Sequence, residues 1–300
     1  MLLKLEDRYR GCFLGLACGD AVGTSVEFSP RGTFPPVSDM VGGGPFGLAP
    51  GHWTDDTSMA ICLAQSLLHQ GRFDAVDQMN RYVNWWHWGY PSPTGTCFDI
   101  GMTVQAALDR YLTTQDPMAG SDDPRTAGNG SLMRLAPVVL FHYPDRSEAV
   151  RHARLSSRTT HGALEALECC ELLAEVLVNA LDGLAMPDVL KPTGAGLKSP
   201  RVQALAKGDY LRKPVEEIKG SGYCVESLEA ALWCFSTTPS FESAVLAAAN
   251  LGDDADTTAA ITGQIAGAYY GVQAIPPHWL DRLFMARELD AMACDLMRRH

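Results

Sequence analysis

Positive charge is the first shortage: 24 lysines and arginines stand against 35 aspartates and glutamates, a net charge of −11. Nonspecific nucleic-acid binding needs a basic surface to displace counterions, so that class of partner is disfavoured. Long apolar runs are missing too. No uninterrupted stretch of about 18 apolar residues exists to cross a bilayer. Met1 to Arg10 alternates charge with leucine, unlike a secretory leader. The nine cysteines are odd in number and no two stand in C-x-x-C spacing, so they read as reduced core residues of a cytoplasmic protein rather than a disulfide or zinc framework. Alternating strand patterns are scarce, and tandem repeats and low-complexity tracts are absent.

What is present is a well-mixed chain of 300 residues, 46% hydrophobic and 20% charged, the size of one large domain over residues 1–300. Helical periodicity recurs almost throughout, which predicts an all-α fold. Helices are expected over Thr57–His69, Asp99–Leu112, His161–Leu181 and Leu283–Met297. In the third of these, Glu165, Glu168, Glu171 and Glu175 form one wet edge on an otherwise apolar helix. Gly and Pro collect in four loops, Ser29–Gly51, Tyr90–Thr96, Gln115–Gly128 and Pro192–Tyr223. The first and last are long enough to border a site. Gly11, Gly15, Gly19 and Gly23 recur every four residues, and Ala259, Gly263, Gly267 and Gly271 repeat the spacing near the C-terminus. Such stripes let two helix backbones approach closely, although scattered glycines can also merely interrupt helices.

The most informative residues are two acidic clusters at expected helix starts, Thr54-Asp55-Asp56-Thr57 and Asp254-Ala255-Asp256-Thr257-Thr258. One reading is helix capping. The other is a set of hard oxygen ligands suited to Mg²⁺, Mn²⁺ or Ca²⁺. If the glycine-striped helices pack antiparallel, Glu27 approaches Asp254 and Asp256, and the carboxylates together would balance two divalent ions. Competing motifs fail on spacing. An EF-hand starting at Asp254 meets Ala259 and Ile265 where Gly and Glu are required. No P-loop exists, Gly42–Gly47 is not a strand-to-helix turn, and neither Asp56 nor Asp254 is followed at three residues by Asp, as a D-D-x-x-D motif needs.

A further loop, Thr126-Ala127-Gly128-Asn129-Gly130-Ser131, precedes an apolar helical stretch and offers backbone amides to phosphate oxygens. Thr160-His161 could contribute a donor to the same anion, or be a satisfied core residue. Trp85, Trp86, Trp88 and Tyr90 form an aromatic cluster that would serve as a cleft edge, a core element or an association surface.

Taken in order, Gly19-Asp20-Ala21-Val22-Gly23 with Glu27, Thr54-Asp55-Asp56-Thr57, Gly128-Asn129-Gly130 with Met133-Arg134, Thr160-His161, and Gly252 with Asp254 to Thr258 resemble the ADP-ribosylglycohydrolase family from about Arg8 to Trp279. The resemblance implies a compact orthogonal helical bundle that uses two Mg²⁺ or Mn²⁺ ions to release ADP-ribose from a modified protein side chain or small molecule. It implies metal ligands at Thr54, Asp55, Asp56, Asp254, Asp256 and Thr257. Glu27, Asp55, Asp56 and Asp99 become the candidates for proton exchange and oxocarbenium stabilisation. Thr126, Gly128, Asn129, Gly130, Ser131 and His161 become candidate substrate contacts, with Tyr223 a candidate adenine platform or loop anchor. In the family's arginine-directed branch an acidic residue precedes a Thr-Cys pair, whereas here Gly95 precedes Thr96-Cys97. Either Asp99 supplies the missing carboxylate or the leaving group is not arginine, and Asp99 could also simply cap the following helix. The alternatives to hydrolysis are a noncatalytic ADP-ribose-binding module and another two-metal phosphohydrolase.

Overall fold

A computed structural model describes residues 3–299, so Met1, Leu2 and His300 of the expected domain lie outside the described residues. The chain runs through α1 (Leu5–Gly23), α2 (Asp55–Gln70), α3 (Ala75–Trp88), α4 (Met102–Thr114), α5 (Ala136–His142), α6 (Arg146–Arg158), α7 (Leu164–Leu181), α8 (Met186–Val189), α9 (Pro200–Ala206), α10 (Cys224–Thr237), α11 (Phe241–Ala249), α12 (Ala255–Tyr270), α13 (Pro277–Arg282) and α14 (Ala286–Met297). Among the described residues there is no strand, only isolated bridges such as Ser121 with His161 and Gly128 with Tyr223. The fold is all-α. No described helix is long and apolar enough to cross a membrane.

The glycine stripes set the centre of the molecule. A Cβ on Gly15 would lie 2.3 Å from the Gly263 carbonyl oxygen, and one on Gly263 would lie 2.0 Å from that of Gly15. Gly11 meets Gly267, Gly19 meets Ala259 and Gly23 meets Ala255, so α1 and α12 run antiparallel in backbone contact. The end of α1 therefore arrives at the start of α12. Every residue of α12 from Ala255 to Ala268 is buried, as a helix without a polar face must be. Helices α7, α10 and α11 pack around it, and α2, α5 and α14 cover α1. Met59, Met79, Tyr82, Trp85, Leu108 and Tyr111 form a second buried cluster between α2, α3 and α4.

Several local expectations are corrected. The glutamate edge of α7 is largely covered: Glu168 and Glu175 are buried. Glu168 accepts from the Lys198 and Ser199 amides, and Glu175 accepts from the amide and hydroxyl of Thr193. These carboxylates pin a loop rather than face water. The long segment Pro192–Tyr223 contains α9, capped by Ser199 and started by Pro200. The helix after Asp99 begins at Met102 with Gly101 as its N-cap, so Asp99 does not cap it. Trp85 belongs to the second core, and Trp88 and Tyr90 are exposed.

Candidate active site

Asp20, next to Gly19 on α1, organises the site from below. Its Oδ1 accepts from the Thr54 amide at 2.9 Å and the Thr54 hydroxyl at 3.0 Å. Its Oδ2 accepts from the Thr57 amide at 3.0 Å and the Thr57 hydroxyl at 2.6 Å. A carboxylate from another helix thus fills the capping role at the start of α2. That releases Asp55 and Asp56, and it removes capping as the explanation of the first acidic cluster. At α12 the result is the same: Asp254 is the N-cap by position, but its side chain caps nothing and instead accepts from Asn129 Nδ2 at 2.8 Å.

Antiparallel packing of α1 and α12 brings Glu27, Asp55, Asp56, Asp254 and Asp256 together. Thr54 Oγ1 lies 3.2 Å from Asp256 Oδ2, its one proton shared between that oxygen and Asp20 Oδ1, and Thr257 Oγ1 donates to Asp56 Oδ1 at 3.3 Å, tying α2 to α12. The remaining oxygens, Asp56 Oδ2 and Asp256 Oδ1, are buried with no hydrogen-bond partner. Two oxygen sets, Asp20 with Asp56 and Asp256, and Glu27 with Asp99 and Asp256, each converge within 4.8 Å and share Asp256. Asp20 already receives four hydrogen bonds, so the open lone pairs belong to Asp56 and Asp256. Burial, then mutual repulsion, holds Asp55, Asp56 and Asp256 well above the ordinary carboxylate range. Burial next to Asp99 and Asp254 raises Glu27 to about 9, and burial near Asp254 raises Asp99 to about 7. Orphaned acceptor oxygens and crowded carboxylates fit hard divalent cations.

Above these acids opens a cleft of about 620 Å³. Glu27, Asp55, Asp99, Asp254, Asp256 and Thr257 line its floor and one side, and Gly128, Asn129, Gly130 and His161 line the other. Thr54 and Asp56 lie fully buried beneath it. Phe28 and Asp99, which line it, and Asp253, next to Asp254, hold left-handed backbone. Phe28 and Asp253 are locked there by the Phe28 amide donating to the Asp253 carbonyl at 2.7 Å, which fixes Glu27 opposite Asp254. The glycine loop is paired with the segment before α10, the Asn129 amide donating to Gly222 and the Cys224 amide to Ala127.

Not every residue expected at the site reaches the cleft. Thr126 Oγ1 donates to the Asp123 carbonyl, and Ser131 is buried, its hydroxyl accepting from Ser157 Oγ at 2.8 Å. Neither lines the cleft. Tyr223 stands beside it, half-buried, its hydroxyl donating to Glu165 and accepting from Arg201. Gly95 is outside the cleft, whereas Asp99 lines it. A third ligand set, His142, Glu148 and His152, occurs at the α5–α6 junction. Its two imidazoles stack in parallel planes at 3.9 Å, so their in-plane lone pairs do not converge on one ion.

The sequence model of the ADP-ribosylglycohydrolase family matches residues 1–300. The chain belongs to this family. It is 46% identical to the ADP-ribosylarginine hydrolase Tri1 of Pseudomonas putida over 98% of its own length and 78% of that protein's. It is 31% identical to the ADP-ribosyl-[dinitrogen reductase] glycohydrolase of Rhodospirillum rubrum, over 96% of each chain. A solved structure of an ADP-ribosylglycohydrolase-related protein complex superposes with a TM-score of 0.87 at 47% identity, covering 99% of both chains. Within the ADP-ribosylglycohydrolase fold of this chain, Asp20 is the residue that sequence reasoning left without a role. The available signal was the one charged residue between Gly11 and Gly23, standing next to Gly19.

Proposed function

We propose that this chain hydrolyses the N-glycosidic bond between ADP-ribose and an arginine side chain, with two Mg²⁺ or Mn²⁺ ions bound at the acidic floor of the cleft. The observation that carries the reading is the pair of partnerless buried oxygens on Asp56 and Asp256 beneath a cleft whose acids come from distant segments. The names of the similar hydrolases and the acidic lining of the cleft, matched to a cationic guanidinium, support arginine as the acceptor. Unpaired cysteines throughout accord with a cytoplasmic setting.

Thr54, Asp55, Asp56, Asp254, Asp256 and Thr257 would hold the ions. When bound, such ions supply Lewis acidity and a template for vicinal ribose hydroxyls. The chain's own residues do the rest. Asp20 keeps Thr54 and Thr57 oriented through its four hydrogen bonds. Glu27 and Asp99, whose carboxylate oxygens converge within 4.8 Å, both line the cleft and stabilise oxocarbenium character as the C–N bond breaks. Water's oxygen bonds to the anomeric carbon as the C–N bond breaks, water's proton passes to the ionised member of this carboxyl pair, and the protonated member gives its proton to the departing guanidine nitrogen, which leaves as guanidinium. Gly128, Asn129, Gly130 and His161 hold the diphosphate and distal ribose, and Tyr223 flanks the adenine.

Chromatographic assay of ADP-ribose release from arginine-linked, serine-linked, polymeric and O-acetyl substrates tests the proposal. The expected result is release from the arginine-linked substrate that chelator abolishes and Mg²⁺ or Mn²⁺ restores. Release from another linkage alone would reassign the acceptor. ADP-ribose binding without release from any substrate would make the chain a binding module.

A further inference from the structure

Arg134 carries a charge that the core does not balance. Its side chain is fully buried, and its partners are all neutral. Nη1 donates to the Gly130 carbonyl at 2.6 Å and Nη2 to Thr160 Oγ1 at 2.7 Å, while the guanidinium carbon sits 4.8 Å from the centroid of the Tyr82 ring. A buried cation without a carboxylate is costly unless something else compensates it. The cleft on the far side of Gly130 is lined by acids and by no lysine or arginine. A diphosphate bound there would meet no direct cation from the chain.

Thr160 Oγ1 has one proton and two lone pairs, so two hydrogen-bond arrangements are open behind the cleft wall, and only one gives that proton an acceptor. A guanidinium only donates, so Thr160 Oγ1 accepts from Arg134. Thr160 Oγ1 also lies 2.8 Å from His161 Nδ1, and its own proton has that nitrogen to go to. Nδ1 then accepts. Burial, together with the nearby Arg134 charge, lowers His161 to about 3, so the ring is neutral and carries one proton. That proton belongs on Nε2, which faces the gap left by two glycines: a Cβ on Gly128 would lie 3.4 Å from Nε2 and one on Gly130 3.2 Å. Among the described residues Nε2 has no hydrogen-bond partner, and His161 lines the cleft.

We propose that Arg134, acting through Thr160, is a positioning residue that fixes the Nε2–H tautomer of His161 and so presents an N–H donor, backed by a buried positive charge, to the diphosphate of the substrate. The inference rests on the functional reading above for the identity of the anion, but the tautomer is a property of the protein alone. It explains why a cleft so rich in carboxylates can accept a dianionic group on one wall: attraction comes from behind the glycine loop.

The test uses the full chain, its Thr160→Val and Thr160→Ser variants, and Arg134→Met. Nitrogen-15 NMR of the imidazoles reads the tautomer without ligand, calorimetry with Mg²⁺ reads ADP-ribose affinity, and steady-state kinetics reads KM and kcat on the arginine-linked substrate. Wild type and Thr160→Ser are expected to show Nε2–H. Thr160→Val is expected to lose that single tautomer, to bind ADP-ribose about tenfold more weakly, the scale of one hydrogen bond to a charged group, and to raise KM with little change in kcat. Arg134→Met, if folded, should weaken binding at least as much. An Nδ1–H ring in the wild type, or Thr160→Val matching wild type in tautomer and affinity while wild type binds ADP-ribose, overturns the relay alone. A wild type that neither binds nor releases ADP-ribose overturns the functional reading and the diphosphate assignment with it.

Discussion

Asp256 shows how one residue can weaken a fold while equipping it. Its carboxylate is buried at the start of α12, receives one hydrogen bond from Thr54, and leaves Oδ1 with nothing. An acid so placed opposes folding of the metal-free chain, because the charged form is desolvated and faces Glu27 and Asp56. Asp256→Asn should therefore cut turnover by more than about a hundredfold, the scale of removing one preorganised electrostatic group. It should also abolish Mn²⁺ binding by calorimetry and raise the melting temperature of the chelated protein near neutral pH. A variant that lost activity with an unchanged or lowered melting temperature would mean that Asp256 holds the helix start together rather than a cation. Residue types carried this much legibility in the sequence: paired acids with threonines at helix starts raised hard-oxygen ligation beside helix capping without any coordinates. Asp20 did not, because a single aspartate among glycines has no motif of its own, and its four donors come from residues more than thirty positions away.

At the scale of elements, the four-residue spacing of glycines offered close packing of two helices as one of two readings, and the backbone contacts of α1 with α12 select it, which delivers Glu27 to Asp254 and Asp256. Spacing fixes a helix face regardless of what lies elsewhere. The covering of α7 was not legible, because glutamates that accept backbone amides from a loop and glutamates that face water have the same periodicity. Nor was α9, whose seven residues are too few for a periodic signal and which depends on its Ser199 cap and Pro200 start. The central pair makes a sharp prediction. Gly263→Ala would bring a methyl group to 2.0 Å from the Gly15 carbonyl, and backbone cannot yield as a side-chain tip would. The two helices must separate, costing at least about 1–3 kcal/mol as overpacking. Divalent-ion affinity should fall as well, since the same separation moves Glu27 from α12. Calorimetric melting and Mn²⁺ titration of Gly263→Ala check both, and retained ion affinity in a destabilised variant would uncouple the helix pair from the site.

Across the whole molecule, the net charge of −11 is unevenly spent, with a cluster of carboxylates buried at one point where water cannot screen them. Linkage turns that concentration into a measurable pH dependence. Asp20 is raised to about 6 by burial, Asp99 to about 7 and Glu27 to about 9, and Asp55, Asp56, Asp254 and Asp256 are also raised. Each group binds its proton more tightly in the folded chain than in the unfolded one, where carboxylates titrate near about 4. Between those values the native state holds more protons, so the stability of metal-free protein falls as pH rises. His161, lowered to about 3, works in the opposite direction, but only up to the unfolded histidine value of about 6.5. The window from about pH 6.5 to 7.5 therefore isolates the acids, because above it the buried cysteines, raised by burial in the folded chain and titrating at about 8.5 when unfolded, add a fall of the same sign. There the chelated protein should melt at progressively lower temperature. Saturating Mg²⁺ or Mn²⁺, which binds the deprotonated native cluster, should add about 2.7 kcal/mol at a hundred times Kd and flatten or reverse the slope. Scanning calorimetry at intervals across this window, with chelator and with each metal, separates the cases. Parallel profiles would mean that the buried acids are neutralised by protons alone and that no cation site exists at the base of the cleft.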